Sequence, residues 1–77
     1  MGKLQREIIK ENKEYLENLL KETENKHIIY RIQMLIFLKT NPEIKLTEVC
    51  ELLPVSYSTI ARWWNDYKKE GLNKLLE

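Results

Sequence analysis

Apolar residues recur along this chain at helical spacing. Over residues 3–22, Leu4, Ile8, Ile9, Tyr15, Leu16, Leu19 and Leu20 project at about 100° per residue onto one stripe about 160° wide. Lysine and glutamate fill the other side, with i,i+4 pairs such as Lys10–Glu14 and Lys13–Glu17. The pattern predicts an amphipathic helix over residues 12–22 with a solvated charged face. It leaves open whether that helix reaches back to Lys3. The polar stretch Thr23-Glu24-Asn25-Lys26 breaks it, and Asn25 suits an N-cap. Residues 26–39 are different, because Ile28, Ile29, Tyr30, Ile32, Met34, Leu35, Ile36, Phe37 and Leu38 point nearly all round a helix axis. A helix apolar on every side is buried on several sides, so this segment is predicted to be central. A strand over the run Met34 to Leu38 is rejected, since the chain offers no second strand-like run to pair with it.

Proline and glycine punctuate the rest. Pro42 follows Asn41, Pro54 follows Leu53, and Gly71 follows Glu70. Proline disfavours helix in the residue before it, and glycine commonly sits just past a helix end. Residues 41–45 are therefore a predicted loop. A short helix spans residues 46–53 with Thr47 as its N-cap, Pro54-Val55 turns, and Ser56 caps a helix over residues 57–70 that Gly71 closes. Leu72, Leu75 and Leu76 form a short helical tail that folds back on the core.

Two helices joined by a tight turn are a recurring unit. Val49, Leu53, Val55, Ile60 and Trp63 match the core spacing of a DNA-binding helix-turn-helix, with the small Cys50 expected to be buried where the helices approach. The expected fold is all-α: a tri-helical helix-turn-helix core, homeodomain-like or winged-helix-like, with an extra N-terminal helix. The whole of residues 1–77 forms one domain, with the helix-turn-helix at about 46–70.

The second helix of the pair has two faces. Ile60, Trp63 and Tyr67 project within about 60° of one another. Ser58, Ala61, Arg62, Asn65 and Lys69 gather opposite. A recognition helix needs small residues near its start and long hydrogen-bonding groups after them. Arginine pairs bidentately with guanine and asparagine with adenine in the major groove. The expected DNA contacts are Ser56, Tyr57, Ser58, Thr59, Ala61, Arg62, Asn65 and Lys69, joined by Lys45 and Thr47 at the start of the preceding helix. Tyr57 either touches a phosphate or thymine methyl or lies on the free surface. Trp63 is the expected core anchor. Trp64, about 100° away, is expected partly exposed, packed on the N-terminal helix or forming a protein interface.

Composition trims the alternatives. With 77 residues there is no room for a deep catalytic cleft and its supporting shell. One cysteine excludes an internal disulfide framework and a multi-cysteine zinc site, and one histidine, His27, leaves little for metal or acid–base chemistry. No cofactor, metal or small-molecule ligand is expected, and no carboxylate pair looks catalytic. No apolar run spans a bilayer, and neither a myristoylation motif nor a signal-peptide core is present, so the expected location is the cytoplasm, on the nucleoid when bound to DNA. Charge argues the other way from DNA. The chain has 13 Lys and Arg against 12 Asp and Glu, for a net charge of +1. Over residues 57–77, four basic residues (Arg62, Lys68, Lys69, Lys74) face three acidic ones. Phosphate contacts dominate DNA affinity, so a lone copy is expected to bind weakly and to need a homodimer, a second module or a partner.

The stretch Val55 to Leu76, with its Val55-Ser56 and Thr59-Ile60 start, Arg62-Trp63, Tyr67, and the Gly71-Leu72 ending followed by Leu75, resembles the N-terminal domain of bacterial insertion-sequence transposases related to the mariner superfamily. Upstream, Arg31 to Leu38 resembles that family's Arg-hydrophobic central helix, and the likeness covers roughly residues 12–77. The resemblance implies double-stranded DNA binding at the inverted repeats of transposon ends, with residues 56–65 reading DNA and Arg31, Ile32, Trp63 and Leu72 as scaffold. Two positions depart from it: Pro54 stands where the family usually has glycine, and Trp64 replaces an aliphatic residue. The family's Asp-Asp-Glu/Asp catalytic domain would lie beyond Glu77. The expectation is a non-enzymatic, truncated or stand-alone relative that binds DNA without cutting or joining it. A second class stays open: a small helical protein-interaction or transcription-regulator module that keeps the fold and not the DNA contacts.

Overall fold

Short polar side chains set where most of the helices begin. The structure is a computed structural model describing residues 9–41 and 43–77. Among the described residues there are five helices and no strand: α1 (Lys13–Glu22), α2 (Lys26–Thr40), α3 (Leu46–Leu52), α4 (Tyr57–Glu70) and α5 (Leu72–Leu75). Asn12 Oδ1 accepts the Tyr15 N–H at 2.7 Å to open α1. Asn25 Oδ1 accepts from His27 and Ile28 at 2.9 and 3.3 Å to open α2. Ser56 Oγ accepts the Thr59 N–H at 3.4 Å to open α4. Each cap satisfies a donor that the first helical turn leaves without a partner.

Helix α3 is capped differently from expectation. Lys45, not Thr47, is its N-cap, and the Glu48 carboxylate reaches back to accept the Lys45 N–H at 3.0 Å. That glutamate satisfies the exposed donor, so the cap lies two residues before Thr47, the helix begins at Leu46 as the pattern predicts, and Thr47 lies within its first turn. At the other end, the Val55 N–H donates to the Leu53 carbonyl at 2.8 Å and closes a three-residue turn about Pro54. The centre of such a turn wants φ near −75°, and proline holds about −65°. Proline is therefore compatible with this turn.

Helix α2 is the centre. Ile32, Met34, Leu35 and Leu38 have no exposed surface, and every residue over 28–39 is buried or half-buried. Helix α1 packs along it, α3 and α5 touch it elsewhere, and α4 packs on α3 and α5. One core gathers Leu16, the four α2 residues, Val49, Leu53, Ile60, Trp63, Trp64, Tyr67, Leu72 and Leu75. Fully burying such side chains contributes roughly 1.5–3 kcal/mol each, before the entropy of ordering them.

Three expectations about burial are corrected. Tyr15 is 48% exposed, because it lies at the edge of the α1 stripe while Leu16 lies nearer its middle. Cys50 is only half-buried, its Sγ bonded to the Thr47 carbonyl at 2.9 Å, since the short α3 turns only Val49 fully inward. Trp64 is 6% exposed rather than partly open. The first helix does not run back through residues 9–11, which are not helical; Leu4, Ile8 and the other residues of 1–8 lie outside the described residues, as does Pro42.

Residues 9–12 nevertheless belong to the packed structure. Ile9 is 2% exposed although it lies in no helix. Lys39 Nζ donates to the Ile9 carbonyl at 2.9 Å. The Lys10 N–H donates to the Tyr67 hydroxyl at 3.0 Å, and that hydroxyl donates to Glu11 Oε1 at 2.5 Å. At the far end, Gly71 turns the chain from α4 into α5 at φ 81° and ψ −169°, a region open essentially to glycine alone. Arg31 Nη1 donates to the carbonyls of Leu75 at 2.9 Å and Glu77 at 3.3 Å, and its guanidinium lies 5.2 Å over the Trp63 ring. One α2 side chain thus ties the tail to α4.

Candidate nucleic-acid interface

Helix α4 is amphipathic because its sequence alternates ring or branched residues with polar ones at helical spacing. Ile60, Trp63, Trp64 and Tyr67 are buried. Ser58, Arg62, Asn65 and Lys69 are exposed on the other side, and Ala61 between them is half-buried. The four exposed groups line about three turns of helix, or about 16 Å at 1.5 Å per residue. Tyr57 is 51% exposed at the helix start. Lys45 and Thr47 are exposed at the first turn of α3, the helix that packs on α4.

Two of the expected contact residues have a local task already. The Ser56 hydroxyl caps the helix and lies 3.0 Å from the Thr59 hydroxyl and 3.4 Å from that of Ser58. Thr59 is half-buried in this small network. Arg62 is not isolated either. It lines a recess of about 190 Å³ with Arg31, Asp66, Lys74 and Glu77. Three cations and two carboxylates therefore share the Arg62 end of the exposed face.

The structure adds residues that sequence reasoning passed over. The Trp64 ring stacks on Tyr67 with centroids 5.8 Å apart and planes 3° from parallel. Lys68 Nζ sits 5.6 Å over the Trp64 ring, a cation–π geometry. The signal was present: Trp64 lies only about 40° from Ile60 at 100° per residue, closer to the core direction than its separation from Trp63 suggests. Nothing in the local pattern announced Lys10 and Glu11 as neighbours of Tyr67, 57 and 56 residues away. Burial pushes the Tyr67 phenol well above its ordinary value of 10, and donation to Glu11 adds to the shift, while the Lys10 N–H opposes it.

Among the described residues, no group of three or more His, Cys, Asp or Glu side chains is placed to hold a metal ion, and no helix is long and apolar enough to cross a membrane. Compared with family models, curated proteins and solved structures, the chain matches none.

Proposed function

We propose that this chain is a sequence-specific double-stranded DNA-binding module in which α2, α3 and α4 form a helix-turn-helix core and α4 enters the major groove. The observation that carries the reading is the division of α4: Ile60, Trp63 and Tyr67 are buried while Ser58, Arg62, Asn65 and Lys69 stand exposed along one side. Small Ser58 and Ala61 allow close approach, Arg62 and Asn65 carry the bidentate groups that read guanine and adenine, and Lys69 reaches phosphate. Tyr57, Lys45 and Thr47 flank this face, and Ser56 and Thr59 set its first turn. The resemblance to insertion-sequence transposases makes transposon-end inverted repeats the proposed target. The role is binding without catalysis.

A second reading, a protein-interaction module, draws on one feature. Leu52 and Tyr57, at 56% and 51% exposure, leave apolar surface on both sides of the α3–α4 turn.

Two substitutions separate the readings. Arg62→Ala weakens binding by about 1–3 kcal/mol and relaxes preference at one base pair. Lys69→Ala weakens binding to all sequences alike and makes the salt dependence shallower by about 0.9 in log–log slope. Binding is measured by gel shift on duplexes selected from a random pool, over a salt series. Equal losses on every sequence mean that α4 reads no bases. If neither variant changes binding, α4 is not in the groove and the interaction-module reading replaces this one.

A further inference from the structure

Residues 9–12 cross the C-terminal end of α4, and three contacts hold them there. Ile9 is buried in the core, its carbonyl accepts from Lys39 Nζ, and the Tyr67 hydroxyl joins Lys10 to Glu11. This crossing brings Lys10 to a groove it shares with Lys68 and Lys69, lined also by Glu11, Glu70 and Gly71. The groove has a volume of about 290 Å³, several times the roughly 30 Å³ that a water occupies, so it has room for a phosphate group with bridging waters.

The charges in the groove are not balanced. Three lysines face two glutamates, and the Glu11 carboxylate already accepts the Tyr67 hydroxyl. The local excess equals the net charge of the whole chain, which is +1. Lys68 lines the groove, and its Nζ lies 5.6 Å over the Trp64 ring, which stacks on the groove-lining Tyr67. Lys69 belongs to the same exposed side as Arg62, about 10 Å further along the helix axis at 1.5 Å per residue.

We propose that this groove is a phosphate-binding site that takes a backbone phosphate of duplex DNA, with Lys10, Lys68 and Lys69 as its donors and residues 9–12 as the strap that completes it. The assignment rests on the DNA-binding reading of α4 and extends it to a second segment of the chain. Lysine ammonium groups act as point charges with rotatable donors, suited to phosphate and blind to sequence. Without the strap the groove keeps two of its three lysines and loses one wall.

The test uses the full chain, followed by amide NMR, titrated separately with inorganic phosphate and with a random-sequence duplex at low salt. The duplex is expected to move the amides of Lys10 and of residues 68–71. Lys10→Ala is expected to weaken binding to every duplex alike and to make the log–log salt slope shallower by about 0.9, the value of one phosphate contact. On a Tyr67→Phe background, where the strap loses its link to α4, Lys10→Ala is expected to have a much smaller effect. If the duplex moves the amides of residues 58–65 but not those of Lys10 and Gly71, and Lys10→Ala binds as the parent does, the groove proposal is overturned while the DNA reading stands. If inorganic phosphate moves the groove amides and the duplex moves none, phosphate recognition is supported and the DNA reading falls. If neither probe moves the groove amides, the site does not exist.

Discussion

Tyr67→Phe removes one oxygen and leaves the ring, so the Trp64 stack and the buried aromatic surface persist. The hydroxyl accepts from the Lys10 N–H and donates to the Glu11 carboxylate. A hydrogen bond to a charged group contributes about 1.5–3 kcal/mol net, and a neutral one about 0.5–1.5. Lys10 is exposed and Glu11 half-buried, so water takes over much of both bonds in the variant and the low ends apply. The expected loss is about 2 kcal/mol. If the strap detaches altogether, Ile9 loses its burial as well, which adds up to about 3 kcal/mol and sets a ceiling near 5. At this chain length about 1 kcal/mol corresponds to roughly 4–8 °C in melting temperature, so the expected drop is about 8–16 °C. The pH dependence gives an independent check. The folded chain holds the Tyr67 proton more tightly than the unfolded one, because burial and Glu11 disfavour the phenolate. The contribution of the hydroxyl is therefore full below the ordinary phenol value of 10 and is lost as pH rises past it. Thermal melts by circular dichroism, run on parent and variant from neutral to alkaline pH, read both effects. The difference between the two chains should be largest at neutral pH and shrink in strong alkali. A drop of less than about 4 °C at neutral pH, or a difference that grows with pH, refutes the strap–Tyr67 coupling.

Trp63→Ala removes the ring that lies under Arg31 and is 6% exposed. Truncating a large core aromatic costs about 3–5 kcal/mol, a large share of the total stability of a domain this size, and urea denaturation should show a midpoint far below that of the parent; an unchanged midpoint means another residue anchors α4. Gly71→Ala should destabilise by about 1–3 kcal/mol through the backbone alone. No atom lies within 4 Å of an added Cβ, so space is not the obstacle, and a melting temperature equal to the parent's would show that the α4–α5 turn relaxes at no cost.

Much of the helix layout was legible because its causes are local. Asn12, Asn25 and Ser56 bond donors two or three residues downstream, and Gly71 takes a backbone conformation closed to other residues. The all-round apolar character of residues 28–38 required burial on several sides, and α2 is flanked accordingly by α1, α3 and α5. The exposed side of α4, with Ser58, Arg62, Asn65 and Lys69, followed from 3.6-residue periodicity. The start of α3 at Leu46 was legible, but its N-cap was misplaced by two residues, at Thr47 instead of Lys45. Lysine is a poor N-cap by its side chain, and only the reach of Glu48 to the Lys45 N–H makes that position serve.

The sequence by itself determined the all-helical class, the approximate element boundaries and which face of each long helix is apolar. These depend on propensity, capping and periodicity, which act over a few residues. Tertiary structure alone decided that Ile9 enters the core without a helix, that Trp64 is covered, that Tyr15 is left out and that Arg31 reaches the tail. It also decided that Lys10 and Glu11 meet Tyr67 and line a groove with Lys68 and Lys69. Those pairings join residues 30 to 59 positions apart or depend on how much of a helix face its neighbours cover. A periodic pattern tells which side of a helix prefers to be buried. How far that burial extends, and which distant polar groups then have to satisfy one another, follows only once the helices are packed.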